Sequence, residues 1–228
     1  MKHTLGASIA VTLLLCSLIA AQPARFDVVL RGGRVMDPAS GLDEVRDVGL
    51  LDGRVMAMSK QPLDGRDVVD VQGLVVAPGF VDLHAHGQDP ESSKWQAHDG
   101  VTTALELEGG ALQVADWYAA REGKARLNFG ATVSHVQARG AGILETNSLK
   151  GPGIYKPATA DELAEIEKRL QQGLAQGALG VGMGLAYTPG ATREESWRVF
   201  KVAAGQGVPV FVHVRSAGMI EPGSSIEA

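Results

Sequence analysis

The chain has 228 residues, 45% hydrophobic and 21% charged, with a formal net charge of −5; this balance suits a globular protein with a sizeable core. The basic residues form no long run, which argues against nucleic acid as a partner. Cys16 is the one cysteine, so no intramolecular disulfide can form and cysteine usage says nothing about the redox compartment.

Lys2 and His3 precede an apolar run over residues 5–21 that ends in Ala20-Ala21. A positive start, a short greasy centre and small residues at its end describe a secretory signal peptide over residues 1–21. The mature protein is then expected to be secreted or periplasmic, with no stable membrane association. A retained membrane anchor is the alternative, because the run is marginal in length for a spanning helix. Leu15 before Cys16 is bulkier than a lipid-attachment site prefers.

Residues 22–76 read as a small β domain. Strand-like runs over 26–30, 34–36, 47–51, 54–58, 68–71 and 74–76 follow one another without helical periodicity. Asp52-Gly53 between two of them is a hairpin signal. An antiparallel unit of sandwich-like character is expected.

From residue 77 to 228 the texture changes to alternating strand and helix. Strands are expected over 74–83, 101–108, 129–136, 178–185 and 208–214. Between them lie a helix carrying Val114, Trp117 and Tyr118, and a stronger one whose Leu163, Ile166, Leu170 and Leu174 recur at helical spacing. Thr159-Ala160-Asp161-Glu162 is a capping box for the second, and Thr192-Arg193-Glu194-Glu195 a capping box for a third. Strand–helix repetition implies a parallel sheet with helical crossovers. The fold class is therefore α/β: an incomplete (β/α)₈ TIM barrel of about five strands, against the eight strands and ~250 residues of a closed one. No closing strand or cap precedes Ala228, so a longer protein is expected.

Three polar features end predicted strands: His84 and His86, Glu106 and Glu108, and His213. On a strand, the i, i+2 spacing of His84 and His86 points both rings to one face. In a barrel these strand ends share one mouth, where that fold carries its chemistry. Neutral imidazoles and a carboxylate suit one or two Zn²⁺ ions. Glu106 and Glu108 share parity; Glu108 lies nearer the mouth and is the chosen ligand, with a plain ion pair as the alternative for either. His213 has the competing reading of a packed, hydrogen-bonded histidine. His135 ends the third strand as a supporting or substrate-contacting group, not a ligand. His3 and His98 are set aside. Arg215, at His213's parity, is a candidate for gripping a substrate carboxylate or for a structural salt bridge.

The run Ala77-Pro78-Gly79-Phe80-Val81-Asp82-Leu83-His84-Ala85-His86, followed by Gly100-Val101-Thr102-Thr103, resembles the start of the amidohydrolase superfamily. Gly177-Ala178-Leu179-Gly180, Gly184-Leu185-Ala186-Tyr187 and Val212-His213-Val214-Arg215-Ser216 resemble its N-acyl-D-amino-acid deacylase (D-aminoacylase) branch. The resemblance implies His84 and His86 on the more exposed metal, His213 on the tighter one, and a bridge from the second strand. D-aminoacylases place a cysteine there, whereas this chain offers Glu108. Relatives that bridge with a carboxylated lysine carry it on the fourth strand; Gly180-Val181-Gly182-Met183-Gly184 has none. Tyr187 matches a substrate-contacting tyrosine. A further histidine ligand and the catalytic aspartate are implied after strands six and eight, beyond Ala228, so no catalytic residue is assigned within the chain. The implied activity is metal-dependent hydrolysis of a small-molecule amide C–N bond, with zinc-activated water attacking the carbonyl. A cyclic-amide hydrolase of dihydroorotase or hydantoinase type is the alternative, and an inactive truncated form a third reading.

Overall fold

The computed structural model describes residues 26–86, 89–140, 152–216 and Gly218. The signal-peptide reading of residues 1–21 lies outside them. The chain divides into two compact units, one through Pro78 and one from Gly79. No described helix is long and apolar enough to cross a membrane.

The first unit is a five-stranded sheet of β1 (Phe26–Asp37), β2 (Leu42–Leu51), β3 (Arg54–Ser59), β4 (Gly65–Asp70) and β5 (Val75–Val76). Asp52 and Gly53, with φ of 51° and 70°, make the tight β2–β3 turn, whose backbone twist matches that of the strands. The expectation of an antiparallel unit needs correction. β2 and β3 pair antiparallel, but β4 and β5 both run parallel to β1. After β3 the chain crosses to the far edge of β1 instead of folding back by a hairpin, giving the order β3-β2-β1-β4. Gly32-Gly33, read as a strand end, is a register break inside one long β1. Asp47 Oδ1 accepts from Gly32 N at 2.9 Å and its Oδ2 from Leu63 N at 3.1 Å, so one carboxylate ties that break to the β3–β4 connection.

The second unit is a parallel sheet in strict chain order, β6 (Phe80–Asp82), β7 (Val101–Ala111), β8 (Asn128–Ser134), β9 (Val181–Gly184) and β10 (Val210–His213). Its curled, sequential strands are those of an incomplete (β/α)₈ barrel, accompanied by the N-terminal β domain. The helices are α1 (Pro90–His98), α2 (Val114–Ala119), α3 (His135–Gly140), α4 (Ala160–Ala175) and α5 (Arg193–Gly205). α4 forms where the apolar spacing predicts it. Thr159 accepts from Glu162 N while the Glu162 carboxylate returns to Thr159 N at 2.6 Å. That contact holds the Glu162 carboxyl below its ordinary range, and the cap satisfies two otherwise unpaired donors. The face of α4 bearing Ile166 and Leu170 packs with Val133, Val181, Met183 and Val199, all essentially inaccessible to water. Each such side chain contributes ~1.5–3 kcal/mol by burial.

Three boundaries differ from expectation. The first barrel strand is only Phe80–Asp82, so His84 and His86 follow the strand instead of ending it. His135 opens α3 instead of closing β8. The helix α1 was not expected: it has no apolar stripe, since Ser93 is its buried residue and Trp95 is exposed, and its start rests on Asp89, which accepts from Glu91 N and Ser92 N. The Ser92 hydroxyl, donating to Asp89 at 2.7 Å, and then the cap bonds hold its carboxyl below the usual range.

Candidate metal centre

β7 is the strand that builds the site. Its register against β8 runs Glu106↔Ala131, then jumps to Ala111↔Val133. The intervening residues form a bulge, which breaks the alternation of side chains and re-aims what it carries. Thr132 Oγ1 on β8 donates to Leu107 O at 2.7 Å and seats the bulge. Glu106 is thus the last paired residue before the bulge and Glu108 lies within it, and their shared parity does not give them a shared role.

Glu108 faces the histidines. Its Oε2 is 3.6 Å from His84 Nε2 and 3.4 Å from His86 Nε2, while its Oε1 is 3.2 Å from His213 Nδ1. The two imidazoles of the pair meet edge-on with their Nε2 atoms 3.0 Å apart. One ligand atom each from His84, His86 and Glu108 falls within a 4.8 Å span. His213 joins through the other carboxylate oxygen. Glu108 is 12% exposed and His84 62%, so a largely desolvated carboxylate stands behind rings that remain open to an incoming ion. Imidazole nitrogens and a carboxylate oxygen at such spacing fit zinc or a similar divalent ion. A cleft of about 360 Å³ beside them is lined by Leu83, His84, Glu108, Phe211 and His213.

The remaining candidates fall around this group. Tyr187, in a 3₁₀ turn after β9, places its hydroxyl 3.3 Å from His213 Nδ1, with ring centroids 4.7 Å apart. Arg215 Nη2 donates to Ala191 O at 2.8 Å, in the segment leading into α5. Glu106 turns to the far side of His86, where its two oxygens lie 2.9 and 3.1 Å from Nδ1.

The amidohydrolase family profile matches residues 67–138, the stretch holding His84, His86, Glu106 and Glu108. N-acyl-D-glutamate deacylase of Alcaligenes xylosoxydans xylosoxydans is 29% identical over 228 aligned residues, covering 85% of this chain and 45% of that protein. A solved D-aminoacylase, described for the functional role of its binuclear metal centre, superposes with a TM-score of 0.71 at 26% identity, covering 85% of this chain and 46% of that one. Residues 67–138 are thus similar to the amidohydrolase family. Dihydroorotase of Streptococcus pneumoniae is 42% identical, but over 79 residues, 34% of this chain and 19% of the dihydroorotase. The chain spans a little under half the length of the two deacylase relatives.

His135 sits apart from the histidine group. It is fully buried and bonds through Nε2 to Glu195 Oε1 at 2.8 Å; Arg139 Nε donates to the same oxygen at 2.9 Å. Arg139 also donates through Nη2 to Lys156 O. The chain therefore uses Glu195 differently from the capping box expected of it. Thr192 Oγ1 still accepts from Glu195 N, but the Glu195 side chain crosses to α3. Sequence reading missed this cluster. The available signal was a histidine and an arginine four apart, His135 and Arg139, which a short helix stacks on one face.

Proposed function

We propose that residues 77–228 carry one side of a divalent-metal centre, zinc in the first instance, for hydrolysis of an amide C–N bond in a small molecule of the N-acyl-D-amino-acid type. The observation that carries this reading is the division of the Glu108 carboxylate, one oxygen toward His84 and His86 and the other toward His213. A carboxylate shared in this way would suit a site for one or two divalent ions. Such an ion would supply Lewis acidity, polarising a carbonyl and bringing the pKa of water to about 7. His84, His86 and His213 would hold the metal, and Glu108 would balance its charge. Tyr187 orients His213 through its hydroxyl and presents its ring to substrate. Arg215 is the candidate for a substrate carboxylate, since its planar guanidinium offers several donors in a fixed fork. No group that moves a proton to the leaving amine is assigned among these residues. Export follows from the reading of residues 1–21, and the small β domain from that of residues 22–76.

The test is turnover of N-acyl-D-amino acids by the zinc-supplemented protein, compared with His84→Ala and Glu108→Ala. Turnover lost in both variants supports the reading; equal turnover in either sinks it. The dihydroorotase match favours a second reading, a cyclic-amide hydrolase. Ring opening of dihydropyrimidines without acyl-amino-acid turnover would select it.

A further inference from the structure

We propose that Glu106 is a positioning residue for His86, fixing which of its ring nitrogens carries the proton. An ionised carboxylate only accepts hydrogen bonds, and both Glu106 oxygens lie within 3.1 Å of His86 Nδ1. The proton between them therefore belongs to Nδ1. The neutral ring then keeps a lone pair on Nε2, the atom that faces His84 Nε2 at 3.0 Å and Glu108 Oε2 at 3.4 Å. The pocket for this carboxylate is built by the chain itself. A Cβ on Gly109 would stand 2.9 Å from Glu106 Oε1 and 3.7 Å from His86 Cε1, so a side chain at that position would push the carboxylate off the ring. Glu106 is 13% exposed, which limits competition from water for the contact. One strand thus serves the two faces of one imidazole, with Glu106 behind it and Glu108 in front. The inference rests on the metal-centre reading, because only an ion needs the free Nε2 lone pair. Orienting partners of this kind typically change metal affinity 10- to 100-fold when removed.

The experiment measures zinc affinity by chelator competition for wild type, Glu106→Ala, Glu106→Gln, His86→Ala and Glu108→Ala, with ¹⁵N shifts of the His86 ring in the metal-free wild type. Glu106→Ala is expected to weaken zinc about 10- to 100-fold. Glu106→Gln, whose amide oxygen still accepts from Nδ1–H, is expected to recover most of that loss. The wild-type ring is expected to be protonated at Nδ1. A proton on Nε2 in the wild type overturns the proposal without recourse to any variant, as does unchanged affinity in Glu106→Ala where His86→Ala and Glu108→Ala lose zinc. Unchanged affinity in all of these variants overturns the metal-centre reading and this inference with it.

Discussion

Gly182 lies directly beneath the bulge that carries Glu108: a Cβ at residue 182 would come within 2.5 Å of Glu108 O and 2.6 Å of Leu107 O. Both obstacles are backbone atoms, which cannot swing aside as a side chain does. Gly182→Ala is therefore expected to lift the bulge, weaken zinc binding and cost about 1–3 kcal/mol of stability, the usual price of overpacking. Gly205→Ala, where nothing lies within 4 Å, is the matched control and should leave zinc binding unchanged. Thermal melts and zinc titration of the two variants check the pair.

Zinc itself should stabilise the fold if His84, His86 and Glu108 hold it. Binding to the native state alone adds about 2.7 kcal/mol when free ligand is 100 times its dissociation constant. The expected result is a rise in Tm on adding zinc that is absent in Glu108→Ala and reversed by a chelator. A Tm that does not move with zinc speaks against the site.

Glu195→Ala should be costly for another reason. Glu195, His135 and Arg139 are each no more than 1% exposed, and removing the carboxylate takes away the oxygen that the buried guanidinium and imidazole share. Breaking a buried pair in this way costs about 3–5 kcal/mol. Denaturant unfolding should show the loss, whereas Glu194→Ala, one residue earlier in the same turn, should not.

The α4–α5 contact predicts a pH dependence. Arg198 holds Glu167 through two hydrogen bonds of 2.6 and 2.9 Å, and this pairing lowers the Glu167 carboxyl below its ordinary value of 4.5. A carboxyl depressed by folding contributes stability above its unfolded pKa and loses it as pH falls through the folded value. Both side chains are about a quarter exposed, so the contribution is roughly 1 kcal/mol or less. The Tm difference between wild type and Glu167→Gln should be full near neutral pH and close progressively below pH 4.5. A difference that is constant down to strong acid would contradict the assignment.

Local signals and the parallel barrel sheet were read from the sequence, whereas the strand pairing of the first unit was not. The α4 start at Thr159 and the Asp52-Gly53 turn were legible because each rests on a few adjacent residues. The direction of β4 and β5 was not, since alternation tells which face a side chain takes but not which neighbour a strand joins. His84 and His86 were selected by strand parity, yet both follow the strand and meet edge-on in the loop. Glu106 and Glu108 look equivalent in any alternating pattern; only the bulge separates them. Glu195 satisfies the capping-box spacing, but a buried arginine and histidine compete for its carboxylate and win, because a charge-assisted contact away from water outweighs one cap.

Pairing at Glu106↔Ala131 and Ala111↔Val133 pins the bulge at each end. Position 108 is the replaceable one: Gly110, with φ of 66° and the Thr132 and Ser134 backbone within 3.0 Å of an added Cβ, has to stay glycine. Redesign of the proposed metal preference would thus exchange one side chain, leaving the barrel staves around it in step.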